Sequence, residues 1–405
     1  MNAFFILAGL LLLQSLWSLR GGFQFLRLLR RRLTRPLFDY CPPAAVIIPC
    51  KGLGEDLERN APLFLAQSYP SYQVIFSVAT EADAAYRYLI RLTEKQARMT
   101  GNARARLVVA GLSDTNGEKV NNLLAGVEAV EPGTQVLAFA DIDSTPARDW
   151  LRALTGALGD SSVIASTGFR WYLPGAGFAS RVRAAWDSSI ATMMGNHDHN
   201  FAWGGSMAIR AEDFKRLRVA EKYWRGTVSD DYAMTRAVRD AGGRIRFEPR
   251  CLVASSGGVS FGEFVQWANR QIIITRVYHA RYWKLGLASY GLYAATLAWG
   301  IALIALPGAP APRAVAAAIL ALILALGMSK GALRSRAARE LFPEQSDLLA
   351  QYGGCYWKLA PVIPWIMLLN FTAAAFTRRI RWQGTVYELR SMTELKVLQR
   401  EAPDR

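Results

Sequence analysis

Long apolar runs near both ends of the chain restrict its fold more than any other feature. Ala3–Leu19, Leu285–Leu306 and Ala314–Met328 contain few polar residues. Runs of this length match the hydrocarbon core of a bilayer, where a helix satisfies all of its own backbone hydrogen bonds. The sequence therefore predicts membrane helices at both ends, with the Pro-rich segment 307–312 as the outer turn between the second and the third.

A fourth apolar run, Pro361–Phe376, is interrupted by Pro364 and followed by the basic cluster Arg378–Arg381. Positively charged segments next to membrane helices stay in the cytoplasm. If this run crossed the bilayer, the cluster would lie outside. We therefore predict a re-entrant or interfacial segment and a cytoplasmic C-terminal tail.

The net charge of +16 is concentrated beside the apolar runs, for example at Arg30–Arg32 and Arg334–Arg339. This placement favours anionic lipid headgroups over nucleic acid as the partner. Because the arginines follow Ala3–Leu19, the pattern is typical of an uncleaved anchor and not of a signal peptide. We expect an integral protein of the inner (cytoplasmic) membrane whose soluble part faces the cytoplasm. The four cysteines have no metal or disulfide spacing, which fits that reducing compartment.

Between the membrane regions, strand-like and helical segments alternate, which predicts a layered α/β sheet. The predicted strands begin at Ala44, Tyr72, Arg106, Val136, Val163 and Arg244. Five regions are expected: a membrane anchor (1–20), a basic interfacial linker with a surface helix (21–41), a soluble domain (42–283), membrane segments (284–377) and a basic cytoplasmic tail (378–405).

The buried strand Val136–Ala140 ends in two carboxylates, Asp141 and Asp143. Ligands of open α/β sheets bind at the carboxyl ends of strands. Alternate residues of an extended segment share a face, so the two carboxylates can converge on one divalent cation or on a metal-bound diphosphate. An Asp-rich turn with no ligand is the alternative interpretation.

Two further carboxylates, Asp230 and Asp231, open a predicted helix. A carboxylate here can serve as a general base, or it can stabilise the helix N-terminus through the helix dipole. The two residues alone leave both interpretations open; if Asp231 is a base, Asp230 would tune it by like-charge repulsion.

Several other residues are candidates for ligand contacts. Gly204 and Gly205 permit close approach of the backbone to a ligand, and Trp203 either stacks on a ligand or belongs to the core. Asn121 and Asn122 are either ligand contacts or helix caps. The segment His197-Asp198-His199 is expected in a solvated loop, with ligand recognition as the alternative, since its spacing lacks a third ligand for structural zinc.

The order of these features resembles the family-2 glycosyltransferases with a GT-A fold, and more narrowly their ceramide glucosyltransferase-like branch. The resemblance extends from about Ala44 to Trp283. Three segments carry it: Lys119-Val-Asn-Asn-Leu is similar to the branch's Lys-x-Asn-Asn-Leu, Asp141-Ile-Asp143 to its metal- and nucleotide-binding carboxylates, and Ser229-Asp230-Asp231-Tyr to the segment with the general base. It implies a mixed α/β sheet with flanking helices, plus N-terminal and C-terminal transmembrane helices, and it favours a phosphate or base contact for Lys119.

Two positions depart from the family pattern. The first nucleotide-binding carboxylate is either Glu81 or Asp83, and we favour Asp83. The family's Gln/Arg-x-x-Arg-Trp signature is expected near residue 270, where this chain has Arg270-Gln271 and then Arg276. Arg276, or Arg270 and Gln271 together, are the candidates to replace it as diphosphate or acceptor contacts.

The resemblance implies a membrane-bound inverting glycosyltransferase that moves a hexose from a nucleotide sugar, UDP-glucose or a relative, to a lipid hydroxyl at the cytoplasmic membrane face. Asp83, Asp141 and Asp143 would bind the nucleotide and a divalent ion, Mn²⁺ or Mg²⁺. The alternatives are a processive polysaccharide synthase, which normally needs more membrane helices, and a non-catalytic scaffold, for which loss of Asp231 would be expected. The lipid, the sugar and the oligomeric state stay open.

Overall fold

The structure is a computed structural model that describes residues 2–99, 101–306 and 310–401. It divides into two compact units whose segments alternate along the chain. The membrane unit comprises the segment up to Arg30, Tyr172–Gly195 and Ser256–Thr377. The sheet unit comprises Arg31–Trp171, Asn196–Ser255 and the segment from Arg378 onward.

The helices and strands of the described residues are numbered along the chain. The helices are α1 (Asn2–Leu33), α2 (Glu55–Leu65), α3 (Ala84–Ala97), α4 (Glu118–Glu128), α5 (Trp150–Gly156), α6 (Phe178–Ala191), α7 (Ala211–Arg216), α8 (Asp230–Asp240), α9 (Phe261–Tyr278), α10 (Ala280–Ala305), α11 (Pro310–Leu341), α12 (Ser346–Tyr352), α13 (Cys355–Lys358) and α14 (Ile363–Ala375). The strands are β1 (Ala44–Pro49), β2 (Tyr72–Val78), β3 (Ala103–Val109), β4 (Val136–Ala140), β5 (Val163–Thr167), β6 (Arg170–Tyr172), β7 (Ser206–Arg210), β8 (Arg244–Phe247), β9 (Val253–Ser255), β10 (Arg379–Trp382), β11 (Thr385–Leu389) and β12 (Leu395–Arg400).

The sheet unit is built on a mixed sheet of seven strands in the order β3-β2-β1-β4-β7-β5-β8. β1 pairs in parallel with β2 and β4, whereas β7 runs antiparallel between β4 and β5. β2 and β4 are buried along their whole length, as expected for apolar strands covered on both faces. Because β1, β2 and β4 are parallel, their carboxyl ends share one edge of the sheet, where β7 begins.

The segment from Arg378 onward contains a second sheet, although its composition favours a basic tail. β10, β11 and β12 form an antiparallel meander that belongs to the sheet unit. Gln383 (φ 46°) and Gly384 (φ 73°) connect β10 to β11. Two successive residues with positive φ are the mark of a type I′ turn, whose twist matches that of a hairpin. The hairpin buries Ile380, Tyr387 and Leu389, so this segment is folded because it has an apolar face.

Three helices of the membrane unit, among the residues described, are long and apolar enough to cross a bilayer: α1, α10 and α11. Leu11, Leu297 and Leu320 from these helices pack in one apolar cluster. α1 is a single helix through the expected anchor and most of the linker. At its C-terminal end Arg30 pairs with Glu340 of α11 at 2.7 Å, so the C-terminal ends of α1 and α11 meet. The turn expected at 307–312 lies partly outside the described residues.

The distribution of the sheet unit along the chain restricts how often the intervening segment can cross a membrane. The chain leaves the sheet unit at Ser255 and returns to it at Arg378. A compact unit lies on one side of a bilayer, so the number of crossings between these residues must be even. α10 and α11 supply two. α14 has 13 residues and measures about 20 Å, too short for a hydrocarbon core of about 30 Å. If α14 does not cross the bilayer, the number of crossings between Ser255 and Arg378 is two and therefore even.

We predict that sheet-unit residues before and after the segment Ser256–Thr377 react with a thiol reagent from the same side of the membrane. Ser162→Cys and Ser391→Cys, both at exposed positions, should be labelled together in sealed vesicles of one orientation. Ala311→Cys, at the opposite end of α10 and α11, should be labelled from the other side. The half-buried Cys41 should be replaced by Ser in all three variants. Labelling of Ser162→Cys and Ser391→Cys from opposite sides would contradict the parity argument.

Candidate active site

The acidic candidates of the sheet unit gather at the shared edge of the large sheet. Asp141 follows β4, and its backbone amide donates to the carbonyl of Gly205, just before β7, at 3.4 Å. Asp83 follows β2 and belongs to the same edge. Because β7 lies antiparallel beside β4, the Gly204-Gly205 turn lies next to the backbone of Asp141.

Lys119 connects the carboxylates from different parts of the chain. It lies in the first turn of α4, and its Nζ is 2.8 Å from Oδ1 of Asp141 and 3.1 Å from Oδ1 of Asp230. The side chain of Asp230 is 2% exposed and that of Asp141 23% exposed. A buried carboxylate is stable only with a close partner of opposite charge, and Lys119 supplies it for Asp230.

The pKa values of this group reflect burial and mutual attraction. Burial alone lowers the pKa of Lys119, but the attraction of Asp141, Asp230 and Asp231 outweighs it and raises that pKa above its ordinary value. Burial raises the pKa of Asp230 to about 7; Lys119 opposes this, whereas repulsion from Asp231 and Asp141 adds to it. Lys119 therefore stays charged, and Asp230 takes up a proton near neutral pH.

The two glycines leave room for larger neighbours. A Cβ at Gly204 would lie 2.0 Å from Oδ2 of Asp230, and a Cβ at Gly205 would lie 2.1 Å from the ring of Trp203. Any side chain at Gly204 would displace the Asp230 carboxylate, because real Cβ contacts are never so short. Gly204 and Gly205 therefore shape the site by making space for Asp230 and Trp203; their expected backbone contact to a ligand stays a prediction.

Asp231 is the second residue of α8, next to the buried Asp230, and is itself only half-buried. Its Oδ1 accepts hydrogen bonds from the Ser229 hydroxyl and from the Tyr232 amide, the latter at 2.7 Å. Ser229 is the N-cap of α8 and accepts from the same amide at 3.3 Å. The cap thus fixes the orientation of the Asp231 carboxylate, while its partial exposure leaves it accessible to a substrate.

Arg170, on β6, is a site residue that the sequence patterns do not indicate. Its Nη2 is 3.1 Å from Oδ2 of Asp141 and 2.6 Å from Oδ1 of Asp143, and Nη1 is 2.8 Å from Oδ2 of Asp143. The guanidinium also lies 5.1 Å from the centre of the Trp203 ring. Asp141 and Asp143 therefore converge on one cationic nitrogen. They do so from a turn, closed by the Ser144 amide donating to the Asp141 carbonyl at 3.1 Å, and not from the extended segment that the sequence predicts.

The convergence of Asp141 and Asp143 also bears on whether a divalent ion fits at this sheet edge. Among the described residues no group of three or more His, Cys, Asp or Glu side chains could hold a metal ion. Mg²⁺ commonly takes one or two carboxylates and completes its shell with substrate phosphates and water. Asp141 and Asp143 fit that pattern, with Arg170 as the competing cation. Four carboxylates (Asp141, Asp143, Asp230 and Asp231) face two cations (Lys119 and Arg170), which favours a further positive charge.

Asp83 and Glu81 differ in their surroundings. Asp83 is the N-cap of α3; its Oδ1 accepts from the amides of Ala85 at 2.9 Å and Gly52 at 2.8 Å. Glu81 is exposed. Asp83 thus ties the loop after β1 to the loop after β2, so it is the member of the pair that shapes the sheet edge.

The remaining candidates of the sheet unit have structural partners. One face of Trp203 is covered by Arg170, and its ring packs against Phe169 at 5.7 Å. Asn121 and Asn122 lie inside α4, whose N-cap is Gly117, so the cap interpretation is wrong. Asp198 in the exposed 197–199 loop pairs with Arg244 at 2.8 Å.

Arg270, Gln271 and Arg276 belong to the membrane unit, on α9. Arg276 donates to the carbonyl of Ala374 at 2.7 Å and stacks over Trp283 at 5.5 Å. These contacts join α9 to the end of α14 and to α10. In this structure Arg276 stabilises the packing of the membrane unit.

A mixed sheet of this order, with acidic side chains at the carboxyl ends of its strands, defines a class: a glycosyltransferase with a GT-A fold, carrying apolar helices that are candidate membrane spans. The chain belongs to glycosyl transferase family 21, whose family model matches residues 10–395. The fold, the enzyme class and the expected ceramide glucosyltransferase-like branch are thereby confirmed.

A similar solved structure is the mannosyltransferase PcManGT from Pyrobaculum calidifontis, in complex with GDP-Man and Mn²⁺. It is 16% identical, with a TM-score of 0.46, and the match covers 91% of this chain and 98% of that chain.

The raised pKa of Asp230 predicts a pH-dependent contribution to stability. The pKa is 3.8 for an ordinary Asp and about 7 in the folded protein. Between these values the folded state holds an additional proton, so the contribution of Asp230 is greatest below about pH 4 and is lost as the pH rises to about 7. The unfolding temperature of Asp230→Asn, relative to wild type, should therefore increase from about pH 5 to about pH 8.

Thermal unfolding in detergent, followed by intrinsic tryptophan fluorescence, measures this difference. Asp198→Asn, at an exposed carboxylate, is the control and should follow the wild type at each pH. A constant offset between Asp230→Asn and wild type over the whole range would show that Asp230 does not titrate in this window.

Proposed function

We propose that this family 21 enzyme is an inverting hexosyltransferase that uses a nucleotide sugar, UDP-glucose or a relative, to glycosylate a lipid hydroxyl at the cytoplasmic membrane face. The observation that carries the proposal is the arrangement around Lys119. A half-buried carboxylate, Asp231, stands beside a buried ion pair that reaches the Asp141 carboxylate. Base and donor-binding carboxylates are thus held in one site.

Asp231 is the proposed general base. Its carboxylate takes the proton of the acceptor hydroxyl while the acceptor oxygen forms a bond to the anomeric carbon of the sugar. The bond from that carbon to the phosphate oxygen breaks, and the nucleoside diphosphate leaves with the electron pair. Displacement from the opposite face inverts the anomeric centre. Ser229 and the Tyr232 amide orient the base through Oδ1.

Asp141 and Asp143 are the proposed ligands of a Mn²⁺ or Mg²⁺ ion that neutralises charge on the leaving diphosphate when bound. Lys119 and Arg170 add fixed positive charge on the same side. Asp83 holds the loop at Gly52 on the nucleotide side of the sheet edge.

A lipid acceptor is supported by the candidate membrane spans α1, α10 and α11. They hold the enzyme at a bilayer, where the hydroxyl of a lipid headgroup is presented. The cytoplasmic side is supported by the arginines that flank the apolar runs. Incorporation of radiolabelled UDP-glucose into chloroform-extractable product by the purified enzyme, with hydroxyl lipids added singly, tests donor and acceptor together.

Asp231→Asn tests the base. Asn caps a helix as well as Asp does, so the variant should fold and bind donor. It should lose turnover by roughly two to four orders of magnitude, the usual range for removal of a general base. Single-turnover transfer and donor binding should be measured side by side. Asp230→Asn should be the milder variant; the reverse order of effects would assign the base to Asp230.

Arg170→Gln tests the competition between Arg170 and a divalent ion. Removal of the guanidinium takes one cation away from Asp141 and Asp143, so Mn²⁺ affinity without nucleotide should rise about tenfold. Mn²⁺ binding is measured by electron paramagnetic resonance of the free ion. Arg152→Gln, which loses the exposed pair with Asp39, should bind Mn²⁺ as the wild type does. Adding Asp143→Asn to Arg170→Gln should abolish the gain; an unchanged affinity in Arg170→Gln would place the ion elsewhere.

A further inference from the structure

The N-terminus of α4, which carries Lys119, lacks a cap of its own. Its N-cap residue is Gly117, which has no side chain to accept a hydrogen bond. The first backbone N–H groups of a helix have no partner within the helix and need one from elsewhere. For the amide of Glu118 that partner is the hydroxyl of Tyr387, at 3.2 Å.

Tyr387 is well placed to act as this distant cap. It lies in the middle of β11, its side chain is 3% exposed, and the flanking strands β10 and β12 hold it from both sides. A Tyr ring in a sheet has little freedom, so its hydroxyl is a fixed acceptor. The residue after Glu118 is Lys119, so the hydroxyl acts one residue from the amine that bridges Asp141 and Asp230.

The same C-terminal sheet contacts the segment that leads to the proposed base. Gly226 has φ +76°, and a Cβ on it would lie 1.9 Å from the carbonyl oxygen of Thr393, in the turn between β11 and β12. The next carbonyl, that of Thr227, accepts from the Gly117 amide at 2.9 Å. The turn between β11 and β12 therefore packs on residues 226 and 227. These residues contact the N-terminus of α4 and lie just before Asp230 and Asp231 in the chain.

A third contact fixes the loop before α4. The Arg400 guanidinium, on β12, is 2.8 Å from Asp114 and also donates to the carbonyl of Ser113. The neighbouring Asn116 accepts from the amide of Gly226 at 2.6 Å. Loop 113–117 is thus held between β12 and the segment before α8.

From these contacts we infer that the C-terminal sheet is part of the catalytic apparatus, with Tyr387 as the positioning residue for Lys119. Tyr387 itself does not contact substrate. It acts by fixing the first turn of α4 against the 226–229 segment, so that Lys119 meets Asp141 and Asp230 together. The inference rests on the proposed function only for the effect on turnover; the mechanical link stands on the contacts alone.

Tyr387→Phe tests the inference, since it removes the hydroxyl and keeps the ring. Tyr69→Phe is the matched control: Tyr69 is also 3% exposed, and its hydroxyl donates to the Pro42 carbonyl at 2.6 Å, away from α4. Both variants are made in the full chain in detergent. Hydrogen exchange followed by mass spectrometry is read for peptides covering 113–123, together with kcat and the KM for nucleotide sugar.

In Tyr387→Phe we expect faster exchange in 113–123 and a fall in kcat of about tenfold with little change in KM, because small displacements of a positioned group mainly reduce turnover. Tyr69→Phe should leave both unchanged. Unaltered exchange in 113–123 overturns the inference whatever the activity. Faster exchange with unchanged kcat overturns the positioning role of Tyr387, while Asp231→Asn still reports on the proposed function separately.

Discussion

The site depends on one ion-pair bridge, that of Lys119 to Asp141 and Asp230. It joins the end of β4 to the beginning of α8, two places that the chain reaches independently. Burying a carboxylate as deeply as Asp230 is costly unless the partner is close and well oriented. Gly204 provides the space for that carboxylate, and the C-terminal sheet supports the helix that carries the amine. Removing Lys119 leaves the buried Asp230 carboxylate without its ion-pair partner.

Arg170 adds a second bridge at the same sheet edge. It holds Asp141 and Asp143 together, so the two carboxylates are already convergent before any ligand arrives. Such preorganisation reduces the reorganisation needed on binding. The four carboxylates there outnumber Lys119 and Arg170, and this charge balance favours a further positive charge at the sheet edge.

The sequence indicates the main sheet well, since continuous apolar runs such as Tyr72–Val78 and Val136–Ala140 are strands with the bounds expected. It does not indicate Arg170, because β6 has three residues and pairs with a segment far along the chain, which no local pattern reveals. The C-terminal sheet has a local signal, the alternation in Thr385–Leu389 after the Gln383-Gly384 turn. Its basic composition favours a tail instead, and contact with α4 depends on tertiary packing.

The membrane helices α10 and α11 are inserted within the sheet unit, between Ser255 and Arg378. A ribosome makes the chain from its N-terminus, so β10, β11 and β12 are synthesised after α10 and α11. The main sheet can form earlier, but the support for α4 arrives only after both helices have left the ribosome. Order of synthesis thereby places the last support of the site after both candidate membrane spans, so the first turn of α4 is completed only when α10 and α11 have already been made.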